Sequence, residues 1–130
     1  MTVLEEMIES SEMVFLRGLK FEEVSPGRHF SQKIDLGNGW TQFYVVLGPN
    51  AESPVHNHAG ENMEETHVLQ YGAGSFFIYD GTGEISRVII LKKGEPHEIF
   101  STPSETPNHK YVAGPKGSIT IALEHHYAGE

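Results

Sequence analysis

The residues of this chain most able to do chemistry are its histidines, which number eight in 130 residues. His56 and His58 stand two residues apart, after a proline at position 54. On an extended strand this spacing places both imidazoles on one face, a few ångströms apart, as two ligands of one cation require. An isolated pair with this spacing is also typical of two exposed loop residues. The residues that follow the pair decide between the two interpretations.

A carboxylate follows the histidine pair. Residues 60–65 form a short polar connection that turns the chain and carries Glu64 and Glu65 into the next predicted strand. Two imidazoles and one carboxylate suit Fe(II), Mn(II), Zn(II), Ni(II) or Cu(II). The sequence therefore predicts a mixed nitrogen and oxygen site for one divalent transition metal, whose identity it leaves open.

These residues resemble the motifs of the cupin superfamily. The first cupin motif, in which Gly, His-x-His, Glu and Gly recur in order, is matched by Gly48, His56, His58, Glu65 and Gly72. A second, looser match consists of Gly94, Pro103 and His109. The resemblance covers about residues 40–127 and implies a small RmlC-like cupin barrel with one metal bound by His56, His58, Glu65 and His109. Two departures are a six-residue gap between His58 and Glu65, where the family usually has three or four, and the sequence Pro103-Ser104-Glu105 in place of Pro-x-Gly.

Two ligand positions have competitors. Glu65 preserves the six-residue step to Gly72 and puts His67 on the metal-facing side of its strand, whereas Glu64 would put Thr66 and Gln70 there, and we prefer Glu65. His109 competes with His97, and we prefer His109 because it follows a turn fixed by prolines at 103 and 107, whereas His97 begins a strand. His67 would then be a catalytic candidate beside the metal, a substrate contact or a satisfied interior histidine. Tyr44 is a second, weaker catalytic candidate, since a strand tyrosine is more often packing.

The elements that must position these residues are predicted to be short β-strands. A helix is predicted over residues 3–9, because Thr2 can cap it and Glu5 follows three residues later. Beyond it, apolar residues recur with period two between turns rich in Gly, Pro, Asn and Asp, and residues 80–83 give the best hairpin signal. The nine candidate strands are 13–17, 29–36, 40–47, 66–71, 75–79, 85–91, 97–100, 110–113 and 118–127. The expected fold class is all-β, a jelly-roll-like double-stranded β-helix with a short N-terminal helix, in one domain over residues 1–130 whose barrel core spans about 28–127.

Composition excludes several function classes. Nine Lys and Arg against 18 Asp and Glu give a net charge of −9, which argues against a nucleic-acid partner. The chain has no cysteine, so disulfides, thiolate metal sites and a cysteine nucleophile are excluded. No segment is typical of a signal peptide or a membrane span, and we expect a cytoplasmic protein with no membrane partner.

The function expected from this combination is a divalent-metal-dependent cupin enzyme that acts on a small polar metabolite. A dioxygenase is the leading reaction type, and a lyase or decarboxylase and a sugar isomerase are the alternatives. A non-catalytic cupin that binds a small molecule is the hypothesis from a different class. Because exposed edge strands are often covered by a second copy, and cupins are often dimers, we expect a homodimer.

Overall fold

The computed structural model describes residues 1–57, 63–100 and 107–126. One α-helix, α1 (Val3–Ser11), is followed by a 3₁₀ helix over Val14–Gly18. Eight strands lie in these residues: β1 (Phe21–Ser25), β2 (Arg28–Ser31), β3 (Ile34–Gly37), β4 (Trp40–Leu47), β5 (Met63–Tyr79), β6 (Ile85–Ile90), β7 (Pro96–Phe100) and β8 (His109–His126). The all-β prediction with a short N-terminal helix is confirmed.

The N-terminal helix begins where the sequence predicts. Thr2 and Glu5 form a reciprocal capping box, in which the threonine hydroxyl accepts from the Glu5 N–H at 3.1 Å. Met7 and Ile8 on its buried face pack against Val46 on the outer face of the sheet. The strand predicted over residues 13–17 is wrong, because this segment is the 3₁₀ helix, which buries Leu16 fully in the same cluster.

The strands pair antiparallel in the order β1-β2-β4-β8-β5-β6, with β3 also on β4 and β7 also on β5. The predicted strand over 29–36 is two strands, β2 and β3, which pair with opposite ends of β4. The sequence reasoning missed β1. Residues 80–83 turn the chain between β5 and β6, where the Asp80 carboxylate accepts hydrogen bonds from the backbone N–H groups of Thr82 and Glu84. The hairpin prediction is thus confirmed.

The two longest strands, β5 and β8, are continuous where the sequence predicted breaks. They pair from Met63 opposite His126 to Ile78 opposite His109, with register shifts between Leu69 and Gly74. Gly72 lies at this point with a φ of +76°, and a Cβ there would lie 2.0 Å from the carbonyl oxygen of Gly117. Glycine allows a bend and close strand contact without ending the strand. The glycines at these positions therefore bend the strands instead of separating them.

The strands have an inner and an outer face, which β4 shows clearly. Phe43, Val45 and Leu47 point into the main core cluster together with residues of β5, β7 and β8. Val46 points to the opposite face, under the N-terminal helix. The inner face is not filled completely, and side chains of β2, β4, β5 and β8 surround a cavity there.

Candidate functional site

A cavity of about 230 Å³ opens into the interior of the folded sheet. Its apolar wall includes Phe30, Phe43 and Phe76. Its polar side chains include Arg28, His56, Glu65, His67, His109 and Glu124. Titratable groups clustered in a concave pocket beside an apolar wall are typical of a ligand or active site.

His56 and His109 are brought together by backbone pairing across 53 positions of sequence. The N–H of His56 donates to the carbonyl of His109 at 3.0 Å, and the N–H of His109 donates to the carbonyl of His56 at 2.8 Å. Their ring centroids lie 4.5 Å apart. The two imidazoles therefore form one unit, although one belongs to a connecting segment and the other begins β8.

Each of these imidazoles is oriented by a carbonyl two residues before it. Nδ1 of His56 lies 2.7 Å from the Pro54 oxygen, and Nδ1 of His109 lies 2.9 Å from the Pro107 oxygen. A carbonyl can only accept, so Nδ1 carries the proton in both rings and Nε2 keeps its lone pair. Metal-binding histidines are usually fixed in this way, by donating the other ring nitrogen to a carbonyl or carboxylate.

Glu65 supplies a buried carboxylate beside the histidines. Its Oε2 lies 3.9 Å from Nε2 of His109, and its Oε1 lies 3.2 Å from Nε2 of His67. Glu64 is turned to the outer face, where Oε1 lies 3.2 Å from Nδ1 of His125. The alternation of β5 thus puts Glu65 and His67 in the cavity wall and Glu64 outside it.

His67 and Tyr111 are two further buried residues of the cavity wall. Nδ1 of His67 lies 3.1 Å from the Thr120 hydroxyl, and its ring packs on Phe76 at a centroid distance of 4.8 Å. Burial raises the pKa of Tyr111 to about 12, and the neighbouring Ser118 hydroxyl opposes this effect in smaller part. At neutral pH Tyr111 is therefore an un-ionised phenol.

The donor chemistry fits the divalent metal that the sequence predicts. His56 and His109 hold Nε2 lone pairs, and Glu65 adds a carboxylate, the mixed ligand set that suits first-row metals. Within residues 1–57, 63–100 and 107–126, no three His, Asp or Glu side chains form a metal-holding group by themselves. His58, the fourth predicted ligand, and Pro103 of the second motif lie outside the described residues.

Two sequence candidates lie away from the cavity. Tyr44 was predicted as a catalytic candidate, but Phe43 and Val45 beside it point inward, so its ring faces outward and packs on Phe15 at a centroid distance of 5.9 Å. Tyr44 is therefore in no position to contact a ligand in the cavity. His97, the competitor of His109, lies on β7, where its Nε2 accepts from the Lys92 N–H at 3.3 Å, and it is absent from the lining.

Sequence reasoning missed Glu124, which is a second buried acid in the cavity. It lies directly opposite Glu65 in the pairing of β5 with β8, and Lys33 lies 3.1 Å from its carboxylate. The available signal was the alternation of β8, because Ser118, Thr120 and Glu124 share one parity and all are buried. A charged residue on the buried parity of a strand indicates a site and not a solvent-facing position.

The fold of this chain is similar to that of solved cupin structures. No protein-family model matches the chain, and no curated protein matches its sequence. Solved structures do match: Bacillus subtilis oxalate decarboxylase, studied for its Mn(II) centres, has a TM-score of 0.65 at 16% identity over 88% of this chain. KdgF from Halomonas sp. has a TM-score of 0.63 at 16% identity, and an RmlC-like cupin from Shewanella frigidimarina has 0.61 at 17%.

The matches cover 84% of this chain and 89% of KdgF, and 85% of this chain and 86% of the Shewanella frigidimarina cupin. The chain spans only 29% of the length of oxalate decarboxylase. The predicted cupin fold is therefore confirmed. None of the helices in the described parts of the chain is long and apolar enough to cross a membrane.

Proposed function

We propose that this chain is a divalent-metal-dependent cupin enzyme that acts on a small polar metabolite, with dioxygenation as its reaction. The observation that carries the proposal is the orientation of His56 and His109, whose Nδ1–H groups donate to Pro54 and Pro107, so that the lone pair of each neutral ring lies on Nε2, the atom that would bind a metal. With His58 and Glu65 they make up the proposed ligand set. The metal content of oxalate decarboxylase, a structural neighbour, agrees with this proposal.

A bound divalent transition metal would supply Lewis-acid or redox chemistry to a substrate in the cavity. Side chains around the metal position would contribute in other ways. Tyr111, protonated at neutral pH, contributes to the cavity wall, and its hydroxyl lies beside Ser118 and the backbone of Gly74. His67 is held between Glu65 and Thr120 and is the proposed acid–base residue of the site. The apolar wall of Phe30, Phe43 and Phe76 limits the water around the reacting groups.

Decarboxylation is the second candidate reaction. Two observations favour it: the cavity lining holds the cations Arg28 and Lys33, and one structural neighbour is an oxalate decarboxylase. The two reactions differ in what they consume and release, because a dioxygenase takes up O₂ and a decarboxylase releases CO₂ without it. An oxygen electrode and CO₂ detection, applied to a panel of small hydroxy, keto and dicarboxylic acids, separate them.

We also propose that the chain is a homodimer. Strand β6 lies at one end of the sheet order and leaves Ile85, Val88 and Ile90 exposed, and Ile90 is 69% exposed. Apolar side chains on an edge strand are usually covered by a partner.

The metal proposal is tested by elemental analysis of untagged protein purified without chelators. We expect about one divalent transition metal per chain, and we expect His58→Ala and His109→Ala to remove most of it. His125→Ala is the matched control, because His125 faces Glu64 and Trp40 on the outer surface of the sheet. Wild-type protein without metal, or equal loss of metal in the His125 control, would contradict the proposal.

A further inference from the structure

Arg28 is a cation in the cavity wall whose guanidinium makes no direct ion pair with the described residues. It begins β2 opposite Leu47, and its guanidinium carbon lies 4.7 Å from the centroid of the Phe30 ring. Within residues 1–57, 63–100 and 107–126 the guanidinium forms no ion pair and no hydrogen bond. Lys33, the other cavity cation, is already paired with Glu124 at 3.1 Å. Arg28 is thus the cation available to a ligand.

The surroundings of Arg28 make this availability energetically significant. Burial lowers its pKa, and the negative charge of Glu65 offsets this effect only in part. Arginine nevertheless stays charged at all ordinary pH values. A charge that has lost water without gaining an acceptor destabilises the protein, and an anion that enters the cavity would reverse that loss.

The charges of the cavity also favour an anion. Its formal charges among the described residues are Arg28 and Lys33 against Glu65 and Glu124, so they cancel while the imidazoles are neutral. Under the proposed function a divalent cation adds two positive charges to this balance. The loaded cavity would therefore attract a negatively charged substrate.

We propose that Arg28 is the specificity-determining residue of the cavity and that the substrate is a small organic acid whose carboxylate pairs with its guanidinium through two parallel hydrogen bonds. The planar fork of donors in arginine matches the two oxygens of a carboxylate. Phe30 holds the guanidinium plane in place, and a cavity of about 230 Å³ restricts the acid to a small molecule. This inference deepens the proposed function and rests on it for the second anchor of the acid, the metal.

The test is calorimetric titration of the metal-loaded protein, and of the same protein stripped by a chelator, with malonate as the probe. Malonamide, of nearly the same shape but neutral, and inorganic phosphate are the comparison ligands. The variants are Arg28→Gln, which removes the charge, and Arg28→Lys, which keeps the charge and removes the fork. Arg87→Gln is the matched control, because Arg87 lies on β6, outside the cavity lining, and donates to the Ile99 carbonyl at 3.4 Å.

We expect Arg28→Gln to weaken malonate binding roughly 10- to 150-fold, the value of a charge-assisted hydrogen bond, and Arg28→Lys to weaken it less. Arg87→Gln should bind malonate as wild type does, and malonamide should bind weakly to every variant. Thermal unfolding of each variant checks that it is folded. The inference is overturned if wild type does not bind malonate, if Arg28→Gln binds it unchanged, if malonamide binds as tightly, or if phosphate binds more tightly than malonate.

Metal analysis of the same samples keeps the two proposals apart. Wild-type protein that carries no metal but binds malonate through Arg28 would contradict the metal proposal and support the anion site. Protein that carries metal but binds malonate equally well after Arg28→Gln would support the metal proposal and reject the role of Arg28.

Discussion

The two neighbouring glutamates of β5 give the sharpest test of the site. Glu65→Gln keeps the shape of the side chain and removes its charge from a position where it is 9% exposed. Its carboxylate oxygens lie 3.2 Å from Nε2 of His67 and 3.9 Å from Nε2 of His109. A charge-assisted contact in such a position contributes about 1.5–3 kcal/mol. The substitution should therefore weaken metal binding roughly 10- to 150-fold.

Glu64→Gln is the matched control for this experiment. Glu64 lies on the outer face beside His125 and is absent from the cavity lining, so its loss should leave metal affinity unchanged. Its effect should be confined to stability, at about 0.5–1.5 kcal/mol for one hydrogen bond. Urea unfolding of the two variants separates this effect from metal binding.

The assay is competition for metal against a chromogenic chelator, with Mn(II) and Zn(II) measured separately. Equal losses of affinity in the two variants, or a larger loss in Glu64→Gln, would refute the reasoning. Glu64 would then be the ligand, and Thr66 and Gln70 would belong to the site in place of His67. Unchanged affinity in both variants would remove the carboxylate from the ligand set.

Four other measurements test the fold and the site. Gly72→Ala should lower the free energy of unfolding by about 2–4 kcal/mol, because the new Cβ would lie 2.0 Å from the Gly117 oxygen at a φ of +76°. Gly81→Ala should change the free energy of unfolding little, because no atom lies within 4 Å of the new Cβ. Equal urea midpoints for the two variants would refute the close contact at Gly72. The pKa of Tyr111 is near 10 in the unfolded chain and about 12 in the folded protein. The free energy of unfolding should therefore fall by on the order of 3 kcal/mol as the pH rises from about 10 to about 12. Tyr111→Phe should not show this loss. Bound metal should be released steeply as the pH falls from 8 to 4.5, because several imidazoles must each gain a proton. Excess metal should shift the midpoint of this release to lower pH. A midpoint that does not depend on metal concentration would mean that the histidines are not ligands. Light scattering at micromolar concentration should give the mass of two chains, and the mass of one chain would reject the dimer.

Local signals determined the elements whose stabilisation is local. The helix begins at Val3 because Thr2 and Glu5 satisfy its first backbone groups, and both residues are visible in the sequence. Strand β4 matches its predicted bounds of 40–47. Its alternate residues pack on opposite faces of the sheet, and this alternation is visible in the sequence. In the structure Glu65 and His67 line the cavity and Glu64 does not, which is the alternation that a period-two pattern requires.

Local signals failed where pairing with distant residues decides the conformation. Residues 13–17 carry apolar residues that suit a strand, yet they form a 3₁₀ helix because Leu16 is buried against the outer face of the sheet. From the adjacent residues alone, Gly72 predicts the end of a strand. The close approach of Gly117 on β8 makes it a bend within one continuous strand.

The sequence by itself determined the kinds of candidate ligand atoms and their order along the chain, because both follow from residue type and spacing. Only the tertiary structure decided which of these atoms meet. His56 and His109 form one unit through backbone hydrogen bonds between segments 53 positions apart. Arg28 and Glu124 enter the same cavity because β2 and β8 both pair with β4 and turn one parity inward. Strand pairing is a long-range choice that no single segment encodes, since it depends on which faces can be buried together.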